Sequence, residues 1–579
     1  MKYRSSGRMA VLASALLASA STVALAGEVT SDRLMNADKE PQNWLMVNKD
    51  YSSHRYSELD QINKSNVKNL HVAFTVALGG AQGVGTAPLG GHQSTPLVDD
   101  GWMYVVDAFG AVYKIDVRDP AKAKIAWIMD PGVDKADVWL ASNRGVTLYK
   151  NFVISVTATA KVNWTKADTG ELVKTVQFDD PKTSHATLTS APLVVGDKLI
   201  VGGSGGDRGA RAHIDAFNAD TGALLWQTYT VPAPGEPGSE TWKGTNNAWQ
   251  HGGGSYWVTG SYDPDTKLTI WGTGQPVPMF DPEYRPGDNL FTNSTVGFDI
   301  ATGKMKWYFQ YTPGDFLDYD EVGINQLIDT KVNGEDRKIV AHFGRNGFFY
   351  RLDRTNGQFI SAEQYAQKIN WTDGIDPKTG KPIEYDPKRD LQVYKIGKAS
   401  RREQGNLVGC PNIQGGVNYF PTSYSHRTHL SYGGGIEACS LITVDPSQDA
   451  GGNWLGGTYA NNEEVKGNVT AMDPVTGKKV AQQSLDHGVT SGVTATAGGL
   501  VFTTTTDGTI YALDDETLKP LWSFNTGSFS SAPPMTYSVN GKQYIAVLIG
   551  GNVQTRDLLN KTPSHKDLQN TSMVFVFGL

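Results

Sequence analysis

A short phrase recurs along this chain, Asp-x-x-Thr-Gly followed by a hydrophobic residue or Trp. The strongest copies lie at 216–226 and 298–307, and weaker copies lie at 166–170, 352–357, 471–477 and 513–522. The step from Gly170 to Gly222 is 52 residues, and that from Gly303 to Gly357 is 54. A period near 50 is typical of a four-stranded propeller blade, which buries its hydrophobic faces only by stacking on neighbouring blades. The repeat therefore predicts an all-β fold, and the chain length fits a single propeller of about eight four-stranded blades.

The chemistry of the phrase supports this interpretation. Asp and Gly favour a tight turn between two strands, and Thr can bond back to the turn backbone. The Trp that follows is well placed to pack against a neighbouring blade, so we expect tryptophan-docking repeats. The simpler alternative is a set of unrelated β-hairpins with Asp-Gly turns.

The first 26 residues have the pattern of a cleavable secretory leader. A basic start is followed by a short apolar stretch and a small-x-small cleavage site, Ala24-Leu25-Ala26. We predict a signal peptide at 1–26, a single domain at 27–579 and a periplasmic location. A membrane anchor is the alternative for the leader, and no later segment is apolar enough to span a bilayer.

Net charge limits the classes of partner. The chain carries a formal charge of -7, and removal of Lys2, Arg4 and Arg8 with the leader leaves about -10. An acidic exported protein is a poor candidate for nucleic-acid binding. It suits a basic protein partner instead.

The chain has only two cysteines, Cys410 and Cys439, which lie 29 residues apart. In an oxidising compartment such a pair is most simply a structural disulfide that closes a long loop, and two buried free thiols are the alternative. The sequence contains no Cys-x-x-Cys-His motif for covalent haem.

Residues with binding chemistry concentrate where the repeat spacing stretches, to 81 residues between Gly222 and Gly303 and to 120 between Gly357 and Gly477. Insertions of this size generally build a site at one end of a propeller. The candidate segments are a Gly-rich turn with Asp207 at 202–209, three glycines beside Trp257 with Gly274-Gln275-Pro276 after them, Thr312 to Asp320, and Arg345 in a turn at 344–347. Taken singly, each segment also fits an ordinary structural role, as a common turn, a core Trp or a surface charge.

Asp318 and Asp320 stand two residues apart. If this segment is extended, alternation places both carboxylates on one side, where they repel each other unless a cation or a proton lies between them.

Taken in order, these segments resemble the quinoprotein alcohol dehydrogenases, periplasmic enzymes that use pyrroloquinoline quinone (PQQ) and include the methanol and ethanol dehydrogenases. The likeness covers nearly all of the mature chain. The matching segments are 59–67, 142–145, 204–207, 274–276, 285–289, 318–320, 415–419 and 533–537. The resemblance implies an eight-bladed propeller with PQQ in a chamber on its axis.

The resemblance also assigns the cofactor contacts. It implies that Trp257 lies against one face of the quinone. Many family members place two adjacent cysteines on the opposite face, where this chain has Val138-Trp139, so Trp139 either stacks on the quinone or fills the blade core. The other implied PQQ-binding residues are Gln93, Arg144, Thr189, Ser204, Gly205, Gly206, Arg345 and Asn418. Cys410 and Cys439 match a structural disulfide of the family.

The implied metal ligands are Asp207, Gln275, Asp318 and Asp320. Family members usually carry Glu and Asn at the first two positions, so one side chain here is a methylene shorter and the other a methylene longer. Such a pair could compensate, or the site could be degraded. Calcium-dependent members usually have a small residue at the position of Asp320, whereas lanthanide-dependent members have Asp. We therefore favour a lanthanide over calcium.

The implied reaction is oxidation of an alcohol, with Asp318 as catalytic base and Arg345 stabilising the charge that develops on the cofactor. A soluble cytochrome c is the expected electron acceptor, and a second copy of the chain, in a homodimer, is the other candidate protein partner. The chamber mouth is expected to form from 277–280 and from the 357–477 insertion. Two alternatives stay open, namely a calcium-dependent sugar or polyol dehydrogenase and a non-catalytic PQQ-like scaffold.

Overall fold

Antiparallel β-strands form most of the regular structure in this computed structural model, which describes residues 1, 27–79, 90–332, 334–396, 401–448 and 454–579. Apart from residue 1, the predicted signal peptide lies outside the described residues. The helices are short, namely α1 (Ser31–Met35), α2 (Pro181–Ser184) and α3 (Val553–Leu558). Single turns of 3-10 helix are scattered between the strands. Within the described ranges, every helix falls short of the length and apolarity that a bilayer crossing requires.

The strands are numbered in chain order. The first eighteen are β1 (Tyr56–Ser57), β2 (His71–Ala77), β3 (Leu97–Asp99), β4 (Trp102–Val106), β5 (Val112–Asp116), β6 (Lys124–Met129), β7 (Thr147–Tyr149), β8 (Phe152–Val156), β9 (Lys161–Lys166), β10 (Leu172–Gln177), β11 (Leu193–Val195), β12 (Lys198–Gly202), β13 (His213–Asn218), β14 (Leu224–Tyr229), β15 (Ser261–Asp263), β16 (Leu268–Gly272), β17 (Ser294–Asp299) and β18 (Met305–Gln310). The remainder are β19 (Asn325–Val332), β20 (Glu335–Phe343), β21 (Phe348–Asp353), β22 (Phe359–Gln364), β23 (Asn406–Gly409), β24 (Ser423–Tyr424), β25 (Ser431–Glu437), β26 (Ser440–Val444), β27 (Gly457–Asn461), β28 (Lys466–Met472), β29 (Lys479–Leu485), β30 (Val489–Thr496), β31 (Leu500–Thr505), β32 (Thr509–Asp514), β33 (Pro520–Asn525), β34 (Met535–Val539), β35 (Lys542–Ile549) and β36 (Met573–Gly578).

These strands form a propeller. In the described part of the chain, eight sheets each contain a four-stranded antiparallel meander, and β1 adds a fifth, parallel strand to one of them. The eight are β3 to β6, β7 to β10, β11 to β14, β15 to β18, β19 to β22, β24-β25-β28-β29, β30 to β33, and β34-β35-β36-β2. A separate three-stranded sheet, β23-β26-β27, is formed by the insertion that follows β22. Because β2 pairs with β36, a strand from the N-terminal part of the chain completes the sheet built by the C-terminal part.

Burial along the strands reflects this stacking. The interior strand β16, Leu-Thr-Ile-Trp-Gly, is buried at every position, whereas the outer strand β10 is exposed or half-buried throughout. An interior strand lies between two neighbouring sheets and therefore needs apolar or fully bonded side chains on both faces. An outer strand has water beside it.

The recurrent phrase forms the turn between the last two strands of a sheet. Asp299 accepts hydrogen bonds from the backbone N–H groups of Ala301 and Thr302 and from the Thr302 hydroxyl, and that hydroxyl in turn accepts from Lys304 N at 3.3 Å. Gly303 follows with φ +70°, a left-handed conformation that glycine adopts without steric cost.

Several of these turns receive an indole from the preceding sheet, whereas the turn at Gly477 receives the guanidinium of Arg351. Trp226 on β14 donates from Nε1 to Ile300 O at 3.1 Å, and a Cβ at Gly303 would overlap its ring. The same contact joins Trp127 to the turn at 167–170 and Trp164 to the turn at 219–222. At these three turns an indole with a satisfied N–H group joins neighbouring sheets, whereas the Nε1 of Trp307, which lies against Gly357, has no hydrogen-bond partner among the described residues.

Candidate functional site

A cavity of about 320 Å³ opens among the loops at one end of the propeller. Its walls come from the loop before β7, the turns between β12 and β13, β16 and β17, and β20 and β21, and the loop between β18 and β19. Thirteen of the fourteen residues that the sequence nominates as site residues line it: Trp139, Arg144, Thr189, Ser204, Gly205, Gly206, Asp207, Trp257, Gln275, Asp318, Asp320, Arg345 and Asn418. Residues distant in the chain therefore share one chamber.

Arg345 joins the two carboxylates of the Asp-x-Asp motif. Its guanidinium donates to Asp318 Oδ2 at 3.0 Å and to Asp320 Oδ2 at 2.6 Å, and its Nε donates to Ile413 O at 2.8 Å. All three charged side chains are nearly inaccessible to water. Although burial opposes a charge on Arg345, Asp318 and Asp320 raise its pKa, so it stays a cation.

The two carboxylates do not converge through strand alternation, because the condition of an extended segment is not met. Asp318 has φ +63°, in the left-handed region, and residues 318–320 belong to no strand. The shared guanidinium brings them together instead.

Asp207 and Gln275 complete the acidic side of the cavity. Gln275 Nε2 donates to Asp207 Oδ1 at 2.8 Å, and the backbone N–H of Gln275 donates to Asp320 Oδ1 at 2.5 Å. Gln275 therefore links the two acids from separate loops. The two side chains whose lengths depart from the family pattern are in direct contact.

The acidic side has an excess of negative charge. Burial, followed by repulsion from Asp320, raises the pKa of Asp207 to about 6, and burial raises the pKa of Asp320 and, well above its usual range, that of Asp318. Three carboxylates face one guanidinium, Arg345. A group of buried acids with raised pKa values either takes up protons or binds a cation.

Arg144 brings a further cation to the cavity wall. The Arg144 guanidinium lies over the Trp257 ring at 4.5 Å and over the Tyr419 ring at 4.6 Å, and it donates to Thr189 Oγ1 at 2.8 Å. Thr189 in turn contacts the Ser204 hydroxyl at 3.1 Å.

Arg144 is not fully satisfied by protein groups. Within the described ranges no acid lies within 4 Å of its guanidinium, and its buried Nε has no hydrogen-bond partner. Burial lowers its pKa to about 10. A buried guanidinium between two aromatic faces, without a counter-ion, is a site for an anionic, flat ligand.

Trp139 does not fill the blade core, so that alternative is wrong. It is 40% exposed and lines the cavity, whereas its neighbour Val138 is buried in a small apolar cluster with Ala108 and Phe109.

Gln93 is the nominated residue that lies behind the wall. Its Oε1 accepts a hydrogen bond from the hydroxyl of Ser142, and Ser142 lines the cavity. Asn418 does line the cavity, and its amide donates to Gln414 O at 2.9 Å.

Residues from both segments expected at the chamber mouth line the cavity, and one further segment was missed. Met279 comes from 277–280, and Ile413, Gln414, Leu455 and Tyr459 come from the 357–477 insertion. Gln554 and Asp557, in α3, also line the cavity, but their segment carries no repeat, glycine cluster or charge motif that would have signalled it.

Cys410 and Cys439 form a disulfide, and no free cysteine occurs in the described residues. The bond links the end of β23 to the loop before β26, so it ties together the insertion that supplies Ile413 and Tyr459 to the cavity wall. The alternative of two free thiols is wrong.

Comparisons with known proteins agree with this geometry. Residues 44–364 match the family model described as Glucose/ethanol/alcohol dehydrogenase, beta-propeller domain, and residues 465–574 match that of Outer membrane protein assembly factor BamB. Quinoprotein alcohol dehydrogenase PedH of Pseudomonas putida is 34% identical over 93% of this chain and 91% of its own. Methanol dehydrogenase [cytochrome c] subunit 1 of Methylorubrum extorquens is 33% identical over 93% of this chain and 89% of its own.

Solved structures show the same fold. Quinohemoprotein alcohol dehydrogenase from Comamonas testosteroni superposes with a TM-score of 0.84 at 31% identity, covering 95% of this chain and 82% of the other. A europium-containing methanol dehydrogenase gives 0.84 at 30% identity, covering 95% of this chain and all of the other.

Proposed function

Because the chain belongs to the PQQ-dependent quinoprotein alcohol dehydrogenase family, we propose that it oxidises an alcohol to an aldehyde or acid, with PQQ and one metal ion held in the cavity. One observation carries the proposal. Three carboxylates and one guanidinium share the cavity with a second guanidinium, that of Arg144, which has no ion-pair partner among the described residues. Such a chamber suits a cation and an anionic ligand side by side.

The acidic side fits a metal ion. Asp207, Gln275, Asp318 and Asp320 offer oxygen ligands, which hard cations prefer. The negative excess of this group, to which Asp320 adds, favours a trivalent ion. We therefore propose a lanthanide rather than calcium.

The part of the wall around Arg144 fits PQQ, which carries carboxylates on a flat ring system. Arg144, Thr189 and Ser204 would hold its carboxylates, with Gly205 and Gly206 beside them. Trp257 would cover one face of the ring system, and Trp139 is the residue proposed for the other. Asn418 and Gln93 complete the proposed set, Gln93 acting through Ser142.

When bound, PQQ supplies the two-electron oxidant and the metal ion supplies a Lewis acid. Asp318 is the proposed base for the alcohol hydroxyl proton. Burial raises its pKa, which strengthens it as a base once it is ionised, and the charge of Arg345 opposes that rise by stabilising the carboxylate. Arg345 also fixes the orientation of Asp318 toward the cavity.

Two finer structural features belong to the same proposal. We infer that the eight four-stranded sheets are the eight blades of one domain spanning 27–579, joined by tryptophan docking, and that the leader at 1–26 directs the chain to the periplasm. The register between β2 and β36 and the indole contacts at Gly170, Gly222 and Gly303 support the first inference.

We further propose that electrons leave to a soluble cytochrome c. A relative at 33% identity is named a methanol dehydrogenase [cytochrome c] subunit. The acidic net charge of this chain would steer a basic acceptor.

The test is reconstitution of the purified apo-protein with PQQ and either lanthanum or calcium. Dye reduction is then followed with primary alcohols, sugars and polyols. We expect alcohol-dependent reduction with lanthanum, its loss in Asp318→Asn, and its retention in the matched surface variant Asp336→Asn.

Each rival predicts a different result. Activity with calcium alone on sugars or polyols would replace the lanthanide proposal with the calcium-dependent one. The match of 465–574 to an assembly factor favours the scaffold alternative, which predicts no PQQ binding with either metal.

A further inference from the structure

Two histidines and one aspartate from three separate loops converge outside the cavity lining. His487 precedes β30, Asp507 lies in the turn between β31 and β32, and His565 lies between β35 and β36. One ring nitrogen from each histidine and one carboxylate oxygen of Asp507 all lie within 4.8 Å of one another. His565 Nε2 is 4.0 Å from Asp507 Oδ2, and the two imidazole rings meet edge to face at 4.4 Å.

This donor set has the chemistry of a transition-metal site. Two imidazole nitrogens and a carboxylate oxygen are ligands that zinc and similar divalent ions take, at about 2.0–2.2 Å from the metal, with donors then about 3.3 Å apart in a tetrahedron. Both histidines are only partly buried. Small rotations of their rings would close the observed spacing, and solvent can supply a fourth ligand.

Asp507 is held in place by neutral donors. Its Oδ1 accepts from the Thr505 hydroxyl at 2.5 Å, and its Oδ2 accepts from the Thr509 hydroxyl at 2.6 Å and from Asn525 Nδ2 at 3.1 Å. Such bonds fix the orientation of a metal-binding carboxylate. In the described part of the chain, its one ion-pair partner within 4 Å is His565 rather than a lysine or arginine.

A second observation points to a ligand. Nδ1 of His487 is buried and makes no hydrogen bond to any described residue. A buried imidazole nitrogen without a partner costs free energy, which a bound metal would recover.

We propose that His487, Asp507 and His565 bind one divalent transition-metal ion of the zinc class, separate from the ion in the cavity. The ion would connect the loops before β30 and after β31 to the segment between β35 and β36. That segment also contains α3, whose Gln554 and Asp557 line the cavity. The metal would therefore hold one wall of the chamber against the neighbouring sheet β30 to β33.

The test uses Co²⁺ as a visible probe of the zinc site in the purified full-length protein, after dialysis against EDTA. Wild type is expected to bind one equivalent of Co²⁺ with the visible absorption of a tetrahedral nitrogen- and oxygen-ligated ion, and one equivalent of Zn²⁺ should displace it. His487→Asn and His565→Asn should lose this absorption. His71→Asn, which removes an exposed imidazole from β2, and Asp320→Asn, which alters the cavity, should retain it.

Hydrogen exchange gives a second readout that does not depend on enzyme activity. Zn²⁺ should slow exchange in the segment between β35 and β36 in wild type and in His71→Asn, and should have no effect in His565→Asn. Thermal melts in EDTA establish whether the variants fold. If His487→Asn does not fold, His565→Asn still tests the proposal, because His565 is partly exposed. Absorption that persists in the folded histidine variants, or that disappears only in Asp320→Asn, would overturn the proposal.

Discussion

The contact between Asp207 and Gln275 predicts that their lengths are matched to each other. Changing Asp207→Glu alone adds about 1.5 Å of side chain toward Gln275, whereas Gln275→Asn alone withdraws the amide by a similar length. Either single change breaks the 2.8 Å hydrogen bond between Gln275 Nε2 and Asp207 Oδ1. The double change lengthens one side chain and shortens the other, so the summed length of the two side chains, and with it the hydrogen-bond distance, is restored.

The magnitude follows from the nature of this bond. A hydrogen bond to a charged acceptor contributes about 1.5–3 kcal/mol. Each single variant loses it, whereas the double variant regains it, so the coupling energy between the two sites should be twice the energy of the bond, about 3–6 kcal/mol. This corresponds to roughly a 150- to 25,000-fold difference in lanthanum affinity between the double variant and the value that additive single changes would give.

The assay is titration of the four proteins, wild type, two singles and the double, with lanthanum in the presence of PQQ, read as Kd and as the rate of dye reduction by a primary alcohol. A parallel cycle that pairs Asp207→Glu with the surface change Asp336→Asn serves as the control, and its two changes should be additive. If Asp207→Glu and Gln275→Asn are also additive within about 0.5 kcal/mol, the two residues do not form one unit and the compensation argument is wrong.

Three further predictions concern other parts of the molecule. Asp320→Asn removes one of the three carboxylates of the acidic side and should weaken lanthanum binding at least roughly a hundredfold, about 3 kcal/mol, while calcium affinity falls less; equal losses for both ions in parallel titrations would contradict its role in matching a trivalent charge. Gly303→Ala places a Cβ at φ +70° against the Trp226 ring and should lower the free energy of unfolding, measured in urea, by more than about 2 kcal/mol. Gly235→Ala, at φ +90° with open space around it, should lower the free energy of unfolding only by the backbone cost of about 1–2 kcal/mol. Equal losses in the two variants would argue against the indole contact. Burial lowers the pKa of His213, but Asp179 and Asp215 outweigh burial and raise this pKa to about 9. The stability that this imidazolium contributes is therefore complete below about pH 6.5 and is lost as pH rises to about 9, by up to about 3 kcal/mol. His213→Gln should flatten that decline in urea titrations at successive pH values, and an unchanged slope would refute the prediction.

Much of the site could be predicted because residue type and order carry it. The chemical character of these motifs does not depend on the fold. They are a glycine-rich turn beside Asp207, an Arg in a tight turn and an Asp-x-Asp pair. Gln93 differs, because its amide faces Ser142 instead of the cavity, and the direction of a buried side chain depends on neighbours from other loops. Gln554 and Asp557 carried no local signal, because only the packing of the C-terminal segment brings them to the chamber.

The sequence by itself determined the propeller fold and the types of side chain available to the site. The Asp-x-x-Thr-Gly turn is a local structure, since Asp299 and Thr302 bond within five residues, and its repetition at blade length leaves few other ways to bury the strands. Only the tertiary structure decided how the charges pair, because Asp207, Asp318 and Arg345 come from different loops that meet after the sheets have packed. Among the described residues, the same packing gave Arg144 no counter-ion and brought His487, Asp507 and His565 together, and no spacing along the chain encodes either arrangement.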